Sequence, residues 1–524
     1  MKLLYNREQL IDQLKQTSSW DIIVVGGGST GLGVALDAAT RGYKTLLLEG
    51  VDFAKGTSSR STKLLHGGVR YLAQGNINLV KEALLERDLL LKNAPHLTQV
   101  QSFIIPCFSL LSKYKYLIGL KLYDLLAGKR SVGKSHFINK EETSLRLKTL
   151  SSDKLLGGIV YYDGQFDDSR MAVNLAQSCV DYGATVLNHF KVDEILKNDA
   201  AKVCGVRAID CETNISYKLN ANVVINATGV FTNKIIKMDN PFAQKIIQPS
   251  QGVHVVIENT FLSSKDAIMI PKTIDGRVLF VIPWKGKVVV GTTDTQVKKC
   301  EYEPKALDDE ISFILSTLNS YLNKHILRRD ILSVFVGLRP LAIRKNNRKK
   351  TKEISRGHKI LVSDSNLISI TGGKWTTFRK MAEESIDQVI SLGMLEEKKC
   401  LTANIMIHGA RPVDLTHSIY GSDFEHIKKL SMEHSEYSEK IHPAFDYTKA
   451  EVVWSIRNEF ARTVEDVLAR RTRALFLNAQ ASLAAAPVVA KLLAKELGKD
   501  DNWGQNQIKV FSELVKNYIL IPKS

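Results

Sequence analysis

No stretch of the 524 residues runs for about 18 apolar positions without interruption, which excludes a helix that crosses a bilayer. The N-terminal MKLLYNREQLIDQLKQTSSW has no apolar core after its first basic residue. It reads as a short amphipathic helix and not as a secretory leader, so the expectation is a chain that stays in the cytoplasm. Cysteine is sparse: Cys107, Cys179, Cys204, Cys211, Cys300 and Cys400 are scattered, with no C-x-x-C pair and no histidines at zinc-finger spacing. No metal site is therefore expected, and the thiols should be reduced and buried. There is no internal repeat and no low-complexity linker. Contents of 44% hydrophobic and 24% charged residues belong to a soluble globular chain and exclude disorder. The length suffices for two or three domains.

Charge of one sign is in excess. The net +17 favours anionic partners: phosphorylated substrates, nucleic acid or an anionic membrane. Between Arg344 and Lys359 eight Lys or Arg stand against one Glu, so that segment alone supplies +7. It carries no aromatic residue, which argues against a stacking surface for single strands, and nucleic acid is not an expected partner.

The most informative stretch is DIIVVGGGSTGLGVALDAATRGYKTLLLE, Asp21 to Glu49. A β-branched strand meets Gly26, Gly28 and Gly31, a small-residue helix follows, and a second strand ends in an acid. The first glycine allows a tight turn, the second lets backbone approach a pyrophosphate, and the third lets helix and strand pack closely. The helix N-terminus offers unpaired N–H groups to phosphate. Glu49, 18 residues beyond Gly31, suits an acid that binds a ribose hydroxyl. The order strand, glycines, helix, strand, acid predicts a dinucleotide clamp.

A serine-rich loop, GTSSRSTKLLHGGVRYL, runs from Gly56 to Leu72, before a helix that Pro95 ends. From about 100 to 240 strand and helix signals alternate, closing on the strand and glycine turn VVINATG, Val223 to Gly229. From about 250 to 370 short strands dominate. After Lys398 the pattern is helical, with sustained periodicity from Val452 to Leu497. The predicted fold class is α/β: a Rossmann-like FAD-binding domain with an inserted antiparallel-sheet substrate domain, and a C-terminal all-α domain. The oxidoreductase domain is placed at 1–395, with FAD-binding parts at about 20–100, 150–240 and 355–395 and substrate or cap parts at about 100–150 and 240–355. The helical domain is placed at 396–524. Cofactor-like turns return late, at NATG and ISITGGKWTTF. There a helix start can direct its positive end at the flavin N1 and C2 carbonyl, which favours FAD over NAD.

By KLLHGGVRYL (Lys63 to Leu72) the chain resembles the FAD-dependent, respiratory glycerol-3-phosphate dehydrogenases of the D-amino-acid-oxidase-like flavoproteins. The resemblance returns at Gln251 to Glu258, Phe280 to Thr295, VGLRPL (Val336 to Leu341), TGGKWTTFRKMAE (Thr371 to Glu383) and Ile456 to Phe476. It implies oxidation of sn-glycerol 3-phosphate to dihydroxyacetone phosphate by hydride transfer from C2 to flavin, with electrons passed to quinone. Carried over by motif, Arg70 and Arg339 anchor the substrate phosphate, since Arg binds phosphate bidentately. Lys374 contacts substrate, flavin or both, His254 is the first choice of general base, and Tyr71 walls the pocket. Cofactor contacts fall to Gly26, Gly28, Gly31 and Glu49; to Ser58, Ser59, Ser61 and Lys63; to His66, Gly67 and Gly68; and to Ala227, Gly229, Gly372, Gly373 and Lys374.

Ser109 to Arg130 interleaves Leu, Ile and Tyr with Lys113, Lys115, Lys121, Lys129 and Arg130, as a helix lying in lipid headgroups would. An ordinary amphipathic core helix has the same pattern. The need to reach quinone favours monotopic, peripheral attachment to the inner face of an anionic cytoplasmic membrane. The competing readings are a glycerol-3-phosphate oxidase using oxygen, another FAD oxidase acting on an amino or 2-hydroxy acid, and an inactive flavin-fold peripheral binding protein. A homodimer and a covalently attached flavin are both left open.

Overall fold

The computed structural model describes residues 5–72, 75–273, 276–343, 357–410 and 418–520, with backbone alone for Arg70 and Tyr71. The basic segment singled out above lies outside the described residues except at its end, 357–359. The run WDIIVV forms strand Trp20–Val25, buried along nearly its whole length. Such a run, apolar at consecutive positions, fits a strand covered on both faces. It pairs in parallel with Thr45–Leu48 on one side and Ser216–Asn226 on the other. Thr185–Leu187 and Ile368–Thr371 extend the parallel sheet outward, and Lys359–Val362 closes one edge antiparallel. Helix Ser29–Thr40 packs against helices Asp168–Asp181 and Phe378–Ser391. Gly33 permits the second packing, because a side chain there would meet the Phe378 ring at 2.7 Å.

A second sheet of ten strands carries the other half of the site. Its long central strand, Ile247–Glu258, pairs antiparallel with Ile331–Ala342 on one side and Lys287–Gly291 on the other. Leu279–Trp284, Ala267–Ile270, Thr98–Cys107 and Gly157–Phe166 follow in order. Gly157–Phe166 and Leu64–Leu65 thus join this sheet from outside the 100–150 and 240–355 stretches.

The C-terminal part is helical: Phe424–Glu433, Lys449–Asn458, Ala474–Leu477, Ala479–Leu497 and Asp501–Val515. Its apolar core is continuous with Val256, Val289 and Phe335 of the second sheet. The expected unbroken periodicity from Val452 to Leu497 is interrupted. Phe460 and Arg473 adopt left-handed backbone, at φ 60° and 67°, and Arg470 and Arg471 turn inward onto the buried carboxylate of Asp52. Two buried cations on one carboxylate fix that segment where helical propensity alone would continue the helix.

Candidate active site

The first sheet ends at a cavity of about 380 Å³ lined by Gly26, Gly28, Glu49, Ser58, Ala227 and Gly229, among others. Gly26 has φ 109°, and a side chain there would meet the Ala227 carbonyl oxygen at 2.8 Å. A side chain on Gly31 would lie 1.8 Å from the Gly26 carbonyl oxygen, so the turn and helix close together only on glycine. Gly28 caps the helix, and the Ser58 hydroxyl accepts from the Ser29 amide at 2.9 Å. Glu49 accepts from the Gly27 amide at 2.7 Å and the Val51 amide at 2.9 Å. Burial raises its pKa, while those two amides favour the carboxylate.

Thr57, Pro340, Gly372, Gly373, Lys374 and Trp375 line this cavity and also a second of about 880 Å³. The two therefore adjoin at the late glycine turn, where Gly372 and Gly373 hold φ of 81° and 79°. The residues fit FAD: a helix N-terminus and glycine-lined slot for the dinucleotide lead into a chamber wide enough for a ring and its substrate.

The chamber wall is one face of the antiparallel pair Ile247–Glu258 and Ile331–Ala342. The register places Ser250 opposite Arg339, Gly252 opposite Gly337 and His254 opposite Phe335, and alternate residues of a strand share a face. The glycine pair lets other groups close over the sheet: a side chain on Gly252 would strike Thr292 Oγ1 at 2.4 Å and the Arg339 guanidinium at 2.5 Å, and one on Gly337 the Arg60 carbonyl oxygen at 2.9 Å. That guanidinium donates to Thr292 Oγ1 at 3.1 Å and to the Thr293 carbonyl at 3.0 Å. His254 stacks on Phe335 with ring centroids 4.8 Å apart. Its Nε2 lies 2.9 Å from Thr62 Oγ1. Burial, then the cations Lys63 and Arg339, hold its pKa well below the ordinary value, so the ring is neutral.

Lys374, His66 and Gly68 line the same chamber. Gly67 stands behind the turn, where a side chain would lie 2.3 Å from the Tyr123 hydroxyl. Arg70 and Tyr71 fall on the short helix Val69–Leu72, whose end residues line the chamber; their side chains are outside the described residues. The serine loop divides. Ser58 faces the dinucleotide slot, whereas Ser61 gives its amide and hydroxyl to Asp168 at 3.0 and 2.7 Å. Ser59 and Lys63 are buried beneath the loop, where Lys63 donates to the Ser59 carbonyl at 2.8 Å and pairs with Asp168 at 2.6 Å. Ser59 and Lys63 do not line either cavity. Thr62, Phe335, Thr292, Asp294 and Asp168 were not singled out from sequence. Asp294 sits in the VVVGTTDT motif, the one signal that could have pointed to it.

A dinucleotide slot opening onto a cation-walled chamber defines a flavin-dependent oxidoreductase, and comparisons with known proteins agree. Residues 21–377 match the family of FAD dependent oxidoreductases, and residues 366–503 match the C-terminal domain of alpha-glycerophosphate oxidase. The probable mitochondrial glycerol-3-phosphate dehydrogenase of Caenorhabditis elegans is 38% identical, over 98% of this chain and 75% of that protein. The mitochondrial enzyme of Mesocricetus auratus is 39% identical, over 94% and 72%. The glycerol-3-phosphate dehydrogenase of Bacillus halodurans, solved with FAD, superposes with a TM-score of 0.81 at 28% identity and covers 99% of both chains. The chain belongs to the FAD-dependent glycerol-3-phosphate dehydrogenases, with FAD as its cofactor.

Proposed function

We propose that this enzyme oxidises sn-glycerol 3-phosphate at C2 and passes the electrons to quinone at the inner face of an anionic cytoplasmic membrane. One observation carries the substrate assignment: Arg339 and His254 share a sheet face and both line the large chamber. Arg339, already aimed by Thr292 and Thr293, anchors the phosphate, helped by Lys374 and Arg70. Bound FAD supplies the acceptor for the C2 hydrogen with its electron pair. His254 takes the C2 hydroxyl proton. His254 Nε2 hydrogen-bonds the Thr62 hydroxyl, which fixes the ring's orientation at the chamber wall. Phosphate seated on Arg339 offsets one of the two cations that depress His254, so the base strengthens when substrate is present.

Phe103, Tyr116, Leu120, Tyr161 and Phe280 form an apolar part of the wall, beside Lys115, Lys272 and Arg277. The chamber, of about 880 Å³, is wide enough for a flavin ring with a three-carbon phosphoester against it. Tyr116 and Leu120 belong to helix Leu110–Ala127, whose outer side exposes Leu111, Ile118 and Leu125 at 81, 68 and 75%. The same helix thus walls the chamber inside and offers an apolar stripe outside, as an interfacial helix does. No helix among the described residues is long and apolar enough to cross a membrane. The test is Arg339→Ala. Losing a charge-assisted bidentate clamp should raise KM for glycerol 3-phosphate by roughly 100-fold or more while FAD stays bound. Loss of the flavin instead would place Arg339 at the cofactor and defeat the assignment.

A further inference from the structure

The C-terminal helical domain reaches the underside of the serine loop through Arg473, with Tyr518 against Arg60 and Phe476 beside Lys63. Arg473 is fully buried, and its guanidinium donates to the Ser59 carbonyl at 2.7 Å and to Asp168 at 3.2 Å. Lys63 binds the same two groups, at 2.8 and 2.6 Å. Asp168 in turn holds the amide and hydroxyl of Ser61. The backbone at both cation positions is left-handed, with φ 62° at Lys63 and 67° at Arg473, a conformation that persists in non-glycine residues only where surroundings impose it. On its upper side the loop places Ser58 at the dinucleotide helix and Thr62 on His254. The domain also supports the histidine from behind: Phe476 packs on Phe335 at 4.9 Å, and Phe335 stacks on His254.

We infer that the C-terminal domain is a working part of the active site: Arg473, with Asp168 and Lys63, sets the 57–63 loop so that Ser58 meets the dinucleotide helix and Thr62 aims His254. Arg473 is a positioning residue that lines neither cavity, and Thr62 positions His254 from the chamber wall. The chemistry of the cluster fits that task. Asp168 faces both cations, with Asp167 3.9 Å from Arg473, in a buried space bounded by Trp284, Phe335 and Phe476. Burial brings the Lys63 ammonium down to about 7, with Asp168 opposing and Arg473 adding to the effect. Lys63 alone is therefore a weak anchor, and the permanently charged guanidinium holds the loop at any working pH. By contrast Arg457 pairs with Glu496 inside the helical domain, at 2.6 Å and partly exposed, with no path to the loop.

The Thr62 part rests on His254 as proton acceptor; the Arg473 part does not. In the holoenzyme, Arg473→Met should weaken FAD binding at least tenfold, read by flavin fluorescence on titrating apoprotein. It should slow anaerobic flavin reduction at least tenfold, with KM for glycerol 3-phosphate changed less than threefold because Arg339 is untouched. Arg473→Lys should recover part of both losses, and Arg457→Ala should leave both at wild-type values. A folded Arg473→Met that only melts earlier, with FAD affinity and reduction rate intact, overturns the inference. Should Arg473→Met fail to fold, Arg473→Lys decides the Arg473 part, a loss of FAD affinity and reduction rate supporting it and wild-type values for both overturning it, and Thr62→Val decides the Thr62 part. A tenfold or greater fall in reduction rate with FAD affinity intact supports the positioning role, and a wild-type rate overturns it. His254→Asn at wild-type rate would instead sink the proton-acceptor reading and leave the FAD-affinity result standing.

Discussion

The Tyr123 hydroxyl donates to Asp163 at 3.0 Å, tying the helix with the exposed apolar stripe to the strand that backs the His66–Gly68 turn. Asp163 also pairs with Arg87 at 2.9 Å, and both are nearly inaccessible. Arg87 reaches the Arg130 carbonyl at 2.8 Å beyond the end of the same helix. Asp163→Asn leaves a buried guanidinium without its counter-ion and should cost about 3–5 kcal/mol. Tyr123→Phe removes one hydrogen bond to a charged group and should cost about 1.5–3 kcal/mol. Denaturant unfolding of the two variants measures both, and the order Asp163→Asn above Tyr123→Phe is the checkable outcome.

Gly31→Ala should give a colourless protein. The new methyl would overlap the Gly26 carbonyl, 1.8 Å away, so strand and helix must separate and the dinucleotide slot with them. Absorbance near the flavin bands after reconstitution with excess FAD reads the result, and a yellow Gly31→Ala protein with wild-type flavin content contradicts it.

Stability should fall in alkali through His408. It bridges Asp181 at 2.7 Å and Asp423 at 3.1 Å, and although burial opposes its charge, those carboxylates raise its pKa to about 9. A histidine raised in the folded state stabilises fully below the unfolded value of about 6.5, and that contribution is lost as pH rises through about 9. The amount is roughly 3 kcal/mol at most. Melting temperature should drop across that window in the wild type, whereas His408→Gln should be less stable at neutral pH and flat through it.

Ile118→Glu with Leu125→Glu should abolish the apolar stripe without touching the core, since both side chains are mostly exposed. Burying each is worth about 1.5–3 kcal/mol, so co-sedimentation with anionic vesicles should fall at least tenfold while activity with a soluble acceptor stays. Unchanged vesicle binding would assign the stripe elsewhere.

The dinucleotide slot was legible because its parts, Gly26 to Glu49, are local in sequence and their spacing is their geometry. His254 and Arg339 lie 85 positions apart, and only motif resemblance joined them; their shared face appears with the strand register. The serine loop was half legible. Alternation has a period in a strand but none in an irregular loop, so Ser58 above and Ser59 and Lys63 below could not be told apart. Arg473, Asp168 and Thr62 act through pairings across as much as 414 positions, and a helical pattern conceals an arginine that leaves the helix to reach a loop.

Anaerobic titration of the yellow holoenzyme tests the central claim most directly. Stoichiometric glycerol 3-phosphate should bleach the flavin bands within the dead time of manual mixing, and glycerol at the same concentration should leave them unchanged. Bands that persist with glycerol 3-phosphate, or bleach equally with glycerol, contradict a chamber built around a phosphate-gripping Arg339 and a proton-accepting His254.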